Sequence, residues 1–373
     1  NESRLSSLLD KRSANNSYRT LAVSSSDLID FSSNDYLGLA RSEELKSKIL
    51  KAYTESASVK NGSTGSRLLT GTSPALESTE AQLSGLFQSE AGLFFNSGYM
   101  ANLAFFSAVP QKGDTVLYDE LSHACIKDGC RLSLAQKFPF RHNDLDQLEQ
   151  KLKRASGDIY ICCESVYSMD GDFAPLSDLA SLAEQYGARL IVDEAHSTGV
   201  FGERGSGLVN ALGLRSKVYA VIYTFGKAMG VHGGFISGSK TLREFLINFA
   251  RPFIYTTAPS DFECLAVSEA FRYLEQNNNL QQELRNRITL FQRLASGKLP
   301  LVHSNSSIQA MLVPGNDHVK QLSKTLRQQG FDVRPILSPT VKESEERLRI
   351  CLHTYNEEGE ISSLINTLIT YLS

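Results

Sequence analysis

Leu190-Ile191-Val192-Asp193-Glu194-Ala195-His196 decides how this chain is read. An apolar run long enough for a buried strand stops abruptly in polar groups, as at the carboxyl end of a strand in a parallel sheet. Tyr223-Thr224-Phe225-Gly226-Lys227-Ala228-Met229-Gly230 has the same build, with an apolar run before it and a lysine just beyond. Ligands of open α/β sheets bind outside the carboxyl ends of strands. An aspartate at one such end and a lysine at another suit a pyridoxal phosphate site. There a lysine forms the Schiff base and a carboxylate pairs with the protonated pyridine nitrogen.

Outward from these two segments, strand-like runs recur at residues 93–95, 116–118, 159–163, 190–193, 218–223 and 234–237. The clearest helix between them opens at Ser177, carries Leu179, Leu182 and Ala183 on one face, and stops at Gly187. Serine is a favoured N-cap, and glycine is the usual residue just past a helix end. Strand and helix in alternation predict a mainly parallel sheet covered on both faces. After Arg251 the character changes. Ser260-Asp261-Phe262-Glu263 has the form of a capping box, and a long helical stretch is expected from there to about Leu294. Val319, Leu322 and Leu326 mark one later helix, and Ile361, Leu364, Ile365, Leu368 and Leu372 a terminal one whose start suits Asn356 and the acidic residues after it. The expected plan has three parts. Residues 1–45 are an N-terminal segment with a short amphipathic helix at Leu5, Leu8 and Leu9; residues 46–260 are a large α/β domain; residues 261–373 are a connecting helix and a smaller C-terminal α+β domain.

With 373 residues the chain can bury a large core, and a net charge of −3 offers no basic field for nucleic acid. Its six cysteines contain no CxxC pair, which argues against a disulfide framework or a zinc site and for reduced thiols; no metal is expected. Residues 1–12 are polar and charged, unlike a signal peptide, and no apolar run approaches the roughly 18–20 residues of a spanning helix. The expectation is a cytoplasmic protein. The chain opens at Asn1 and not at methionine, which leaves room for a leader before it.

Each candidate has a plainer reading. A lone lysine is ordinarily a solvated surface group, but Lys227 sits among Gly226, Gly230, Gly233 and Gly234, so bulky neighbours do not crowd it. A lysine partly withdrawn from water has the depressed pKa that Schiff-base chemistry requires. Thr224 is close enough to offer a hydroxyl to the same ligand. Asp193 could equally cap a turn, and His196 could sit beside it and reach a cofactor oxygen. Asp193-Glu194-Ala195-His196 also spells the magnesium box of a helicase-type NTPase. That reading needs a phosphate loop of the form G-x-x-x-x-G-K-[ST], which the chain lacks. Gly62-Ser63-Thr64-Gly65-Ser66-Arg67 has no lysine, and Gly226-Lys227 is followed by Ala228. Ser97-Gly98-Tyr99, after its apolar run, could present backbone N–H groups to a phosphate at a helix N-terminus, or be a plain turn. His123 follows another strand-like run and can reach the same sheet edge.

These segments, with several others, resemble the α-oxoamine synthases, pyridoxal-phosphate enzymes of the aspartate-aminotransferase fold. Phe31-Ser32-Ser33-Asn34-Asp35-Tyr36-Leu37-Gly38-Leu39 is similar to the first motif of that family. In the family's order follow Gly65-Ser66-Arg67-Leu68-Leu69-Thr70-Gly71, Ser97-Gly98-Tyr99-Met100-Ala101-Asn102, Leu121-Ser122-His123-Ala124 and Val166-Tyr167-Ser168-Met169-Asp170-Gly171-Asp172. The Asp193 and Lys227 segments and Glu346-Arg347-Leu348-Arg349 complete the set, which spans nearly the whole chain.

The resemblance implies roles. Lys227 carries the Schiff base and acts as general base, Asp193 holds the pyridinium, and His123 stacks on the ring. His196 and Ser168 contact its oxygen side, Gly98 and Tyr99 lie near the cofactor through backbone groups, and Thr224 lies near the phosphate. Thr256 corresponds to a residue that reaches the phosphate of the neighbouring subunit, so a homodimer with a shared site is implied. Arg349 corresponds to the arginine that clamps the amino acid's carboxylate, Asn34 lines the substrate side, and Arg19 corresponds to a second substrate-side arginine.

The implied reaction is decarboxylative condensation of an L-amino acid with an acyl thioester of CoA or a carrier protein, giving an α-amino ketone. Ser32-Ser33-Asn34-Asp35, Gly65-Ser66-Arg67-Leu68 and Arg141-His142-Asn143-Asp144 look most like the members that join L-alanine to a pimeloyl thioester in biotin synthesis. The alternatives are condensation of glycine with acetyl-CoA and use of a different acyl chain. One departure is Leu76, where the family commonly carries histidine. Some relatives are scaffold subunits without the lysine; Lys227 and Asp193 speak for an enzyme.

Overall fold

The computed structural model describes residues 2–21, 23, 27–56 and 59–372. Strands among them run, in chain order, β1 Ile29–Asp30, β2 Ala91–Phe95, β3 Thr115–Asp119, β4 Gln136–Phe140, β5 Ile159–Glu164 and β6 Arg189–Asp193. They continue with β7 Ala220–Thr224, β8 Gly234–Gly238, β9 Ile308–Leu312, β10 Phe331–Asp332, β11 Arg334–Ile336 and β12 Arg347–Cys351. The chain forms two compact units. One comprises Leu37–Tyr167 and Phe173–Gln281; the other comprises Asn1–Tyr36, Ser168–Asp172 and Gln282–Ser373.

The first of these units carries a seven-stranded sheet in the order β2-β8-β7-β6-β5-β3-β4. Pairing is parallel from β7 through β4, while β8 runs antiparallel to both neighbours, so the sheet is mainly parallel as the alternation predicts. The central strands are apolar and fully buried on both faces because helices cover them. On one face Leu93, Val116, Ile191, Ala220, Ile222 and Ile236 pack with residues of the helices Gly98–Ala108, Ala124–Leu132 and Lys240–Phe249. Strand β4 escapes sequence reading because its residues Gln136-Lys137-Phe138-Pro139-Phe140 are largely exposed and include a proline. It lies at the sheet edge, the place where a missing N–H and a charged side chain are tolerated.

Two helix boundaries differ in detail from expectation. The helix read from Ser177 begins at Leu176 behind Pro175, so Ser177 lies inside it, while Gly187 takes the left-handed φ of 61° just past its end. The long stretch after Ser260 is two helices, Asp261–Gln276 and Asn279–Ala295, parted at Asn277. Its capping box is formed as expected: Ser260 Oγ accepts from the Glu263 N–H at 3.2 Å, and the Glu263 carboxylate accepts from the Ser260 N–H at 2.7 Å.

In the other unit β11, β12 and β9 form an antiparallel sheet, and β1 pairs in parallel with β10. The segment Phe31–Tyr36 is thereby sewn to the far end of the chain: Cys351 N–H donates to Phe31 O at 2.8 Å, and Thr354 N–H to Tyr36 O at 3.0 Å. Asn356, expected at the start of the last helix, instead spends its side chain on His353 and on the Asp30 carbonyl. The terminal helix starts at Glu358.

Candidate active site

Strand direction gathers chemistry at one edge of the seven-stranded sheet. Strands β3, β5, β6 and β7 point the same way and end in Asp119, Glu164, Asp193 and Thr224. Strand β2 also points that way, being antiparallel to β8 like β7, and it leads into Ser97-Gly98. His123 follows β3, His196 follows β6, and Lys227 lies in the connection from β7 to β8.

Asp193 is 5% exposed, and its carboxylate is oriented from both sides. Asn102 Nδ2 donates to Oδ2 at 2.6 Å, and the Ala195 N–H donates to Oδ1 at 2.8 Å. Lys227 is half-buried and its Nζ shares a hydrogen bond of 2.6 Å with Nε2 of the buried His196. His123 caps the helix Ala124–Leu132: its Nδ1 accepts from the Cys125 N–H at 3.2 Å, with Cys125 Sγ 2.9 Å away. Although the residue is exposed, the protein packed around the ring lowers its pKa by withdrawing the imidazolium from water. Asp193 opposes that shift and the positive charge of Lys227 reinforces it. A neutral ring can lie flat against another aromatic system without carrying a charge into it.

The helix Gly98–Ala108 begins at this edge. Ser97 caps it, its Oγ accepting from the Met100 N–H at 3.2 Å, and the N–H groups of a helix's first turn have no partners within the helix. The approach is close enough to demand glycine twice. A Cβ on Gly98 would stand 2.9 Å from Thr224 Cβ, and one on Gly234 would stand 2.6 Å from the Gly98 nitrogen. Thr224 Oγ1 meets only the Gly233 carbonyl, at 3.4 Å, among the described residues. Tyr99 projects outward, donates from its hydroxyl to Asp128 at 2.5 Å and meets the His123 ring edge-on at 6.5 Å. Thr256 is half-buried in the turn after the short helix Arg251–Ile254.

These residues fit pyridoxal 5′-phosphate on their own chemistry. A fixed buried carboxylate suits a pyridinium, a half-buried amine suits an aldehyde, and a glycine-lined helix N-terminus suits a phosphate ester. Their juxtaposition brings the expected cofactor residues of this unit to one edge, and Thr256 lies next to Thr257, whose carbonyl accepts from Asn96 Nδ2 at 3.1 Å just before Ser97.

Ser168, Asn34, Arg349 and Arg19 belong to the other unit. There Arg349, 8% exposed on β12, is held on three sides. Nε donates to the Ser168 carbonyl at 2.6 Å, Nη1 to Cys351 Sγ at 3.0 Å, and Nη2 to Asn34 Oδ1 at 3.0 Å and the Tyr36 hydroxyl at 3.3 Å. Ser168 thus contributes its backbone oxygen, and Asn34 meets Arg349 directly. Arg19 is exposed in the irregular stretch after the first helix and joins none of this. Leu76 is fully buried in the helix Pro74–Leu86, where it packs as a core residue.

Sequence reading passed over three groups. Asn102 was quoted within a motif but given no task; the signal was an amide side chain on a largely apolar helix, one turn after Gly98. Glu164 ends an apolar strand just as Asp193 does, and its carboxyl oxygen accepts the His123 backbone N–H. Tyr36, fully buried, braces Arg349.

The family described as aminotransferase class I and II matches residues 26–366. The 8-amino-7-oxononanoate synthase of Emericella nidulans is 37% identical, over 95% of this chain and 92% of that protein. Among solved structures, serine palmitoyltransferase from S. paucimobilis with bound PLP–myriocin aldimine has a TM-score of 0.90 at 25% identity, covering 99% of this chain and 97% of that one. The 8-amino-7-oxononanoate synthase of Francisella tularensis has a TM-score of 0.81 at 29% identity, covering 93% and 98%. Matched over almost its full length, the chain belongs to the aminotransferase class I and II family.

Proposed function

We propose that this chain is a pyridoxal-phosphate-dependent acyltransferase that condenses L-alanine with a pimeloyl thioester, releasing CO2 and the thiol and forming 8-amino-7-oxononanoate for biotin synthesis. The observation that carries the reading is the shared edge on which Asp193, Lys227, His196 and His123 converge beside a glycine-lined helix N-terminus. The choice of alanine and pimeloyl thioester is supported by the names of the relatives at 37% and 29% identity.

Bound pyridoxal 5′-phosphate supplies a carbonyl that amines condense with and a ring that takes up electrons. The residues would divide the remaining work. Lys227 would hold the cofactor through Nζ and, once an incoming amine replaces it, take the α-proton of the amino acid. His196 Nε2, 2.6 Å from Nζ, would share that proton. Asp193, fixed by Asn102 and Ala195, would keep a proton on the ring nitrogen, a charge-assisted contact. The Gly98 and Tyr99 N–H groups and Thr224 would receive the phosphate, while His123 would lie over the ring.

In the other unit, Arg349 is the group suited to an amino acid's carboxylate, and Asn34 is its neighbour. Ser168 would serve the cofactor's oxygen side, and Arg19 the substrate, as the family resemblance implies. Thr256 would reach the phosphate bound by a second copy, so the working form is a homodimer. Among the described residues no helix is long and apolar enough to cross a membrane, which suits a cytoplasmic enzyme.

The test is product formation by protein loaded with pyridoxal phosphate. L-Alanine with pimeloyl-CoA or a pimeloyl carrier protein is expected to give the amino ketone. Preference for glycine with acetyl-CoA would replace the proposed substrates, and no product with any acyl thioester would overturn the proposal.

A further inference from the structure

Glu164 lies at the carboxyl end of β5 in register with Asp193 at the end of β6. Registered neighbours on parallel strands project from the same face of a sheet, so the two carboxyl groups leave the edge side by side. Glu164 is 2% exposed. Its Oε1 accepts the backbone N–H of His123 at 2.5 Å, while the other side of His123 is tied by Nδ1 to the Cys125 N–H. The imidazole is therefore held at two points, at its own backbone and at its ring.

We infer that Glu164 is a positioning residue of the active site: it fixes the His123 ring by accepting the His123 backbone N–H. The inference rests on the function proposed above, in which His123 lies over the cofactor ring. The surroundings explain why a carboxyl group can do this beside Asp193. Burial pushes the Glu164 carboxyl up to about 8, and the negative charges of Asp193 and Asp119 push the same way, while Lys227 and the His123 N–H pull it down. Near neutral pH Glu164 thus holds its proton, keeps an acceptor oxygen for His123, and adds no second full charge next to Asp193.

Two substitutions separate acceptor from volume. Glu164→Gln keeps a carbonyl oxygen of the same reach. Glu164→Met fills similar space with no comparable acceptor. In protein free of cofactor, the His123 imidazole signals in the nuclear magnetic resonance spectrum are assigned by their loss in His123→Asn. They are expected to stay in place in Glu164→Gln and to move in Glu164→Met. In loaded protein, Glu164→Met is expected to turn over roughly 10–100-fold more slowly than Glu164→Gln, the size seen for outer partners that orient a metal's ligands. It should also lose visible circular dichroism of the bound cofactor. Adding Glu164→Met to His123→Asn is expected to cost little more, since the two act as one unit. Unmoved imidazole signals in Glu164→Met, or fully additive losses in the double variant, would overturn the inference. A wild-type protein that binds no pyridoxal phosphate would overturn the proposed function alone, because the imidazole signals of cofactor-free protein still report whether Glu164 holds His123.

Discussion

Lys227 Nζ and His196 Nε2 stand 2.6 Å apart, joining the β7–β8 connection to the loop that follows β6. The contact places the amine next to a buried base that can take or return its proton. Lys227→Ala removes the proposed nucleophile while leaving a loop framed by glycines, so little packing is lost. We expect the variant to melt close to wild type and to lose the visible band of bound pyridoxal phosphate that a covalent lysine link produces. Turnover should fall by roughly a thousandfold or more, as for removal of a catalytic nucleophile. Retained synthase activity would remove Lys227 from the role given to it.

Asn102→Ala tests the support of Asp193. The Asn102 amide donates to the buried carboxylate at 2.6 Å, and hydrogen bonds to charged groups contribute about 1.5–3 kcal/mol. Its removal leaves the Asp193 carboxylate less firmly aimed. Cofactor affinity, followed by absorbance titration, should weaken by roughly 10–100-fold. Asp193→Ala, which deletes the charge itself, should weaken it further. Equal losses in the two variants would mean that orientation matters as much as charge.

Much of this site is legible in sequence because parallel β/α folding turns local pattern into position. Asp193, Thr224 and the residues just past them end apolar runs, and such runs end at one edge. Glu164 obeys the same rule, yet a glutamate after an apolar strand reads as an ordinary boundary until strand register sets it against Asp193. Asn102 needs the depth of its helix, and Arg349 needs the pairing of residues 315 positions apart, which no local pattern holds. Strand β4 fails for the opposite reason: a parallel edge strand can carry lysine and proline because one side of it pairs with nothing in the sheet.

Glu194 makes stability fall as pH rises. Burial lifts its carboxyl from 4.5 to about 7, against the opposing pull of Ser197 and the Val209 and Leu208 N–H groups. Between those values the folded state keeps a proton that the unfolded state has released, so ν_N exceeds ν_U and the unfolding free energy declines with pH. The contribution is fully present below about pH 4.5 and lost by about pH 7. Glu194→Gln cannot titrate, so its melting temperature should decline less across that window than wild type does. Its absolute stability will also drop, because a carboxamide serves the Leu208 and Val209 N–H groups less well. A wild-type slope equal to that of Glu194→Gln would contradict the assignment.

Gly234→Ala tests the proposed phosphate end. The added methyl would stand 2.6 Å from the Gly98 nitrogen and equally close to the Ser97 carbonyl, all of it backbone with no flexible group to move. Strand β8 or the start of the helix Gly98–Ala108 must then shift. Overpacking of this kind typically costs about 1–3 kcal/mol. Beyond the lower melting temperature, binding of pyridoxal phosphate should weaken more than binding of phosphate-free pyridoxal. Equal weakening of the two ligands would place the phosphate elsewhere.

Arg349→Lys separates geometry from charge. The guanidinium fork donates at once to the Ser168 carbonyl, Cys351, Asn34 and Tyr36, and a carboxylate arriving at Nη2 would take over the bonds now made to Asn34 and Tyr36. Those two residues also bond each other, the Tyr36 hydroxyl donating to Asn34 Oδ1 at 3.0 Å, so they keep a partner after the exchange. Lysine retains the positive charge but presents a single ammonium that cannot bridge the Ser168 carbonyl and a carboxylate in a fixed plane. The expected result is a KM for the amino acid raised by roughly tenfold or more, in line with the loss of one charge-assisted bond. The KM for the acyl thioester should change little. Asn34→Ala should act in the same direction but more weakly, since it frees Nη2 while loosening the arginine. An unchanged amino-acid KM in Arg349→Lys would show that the carboxylate is bound by another group.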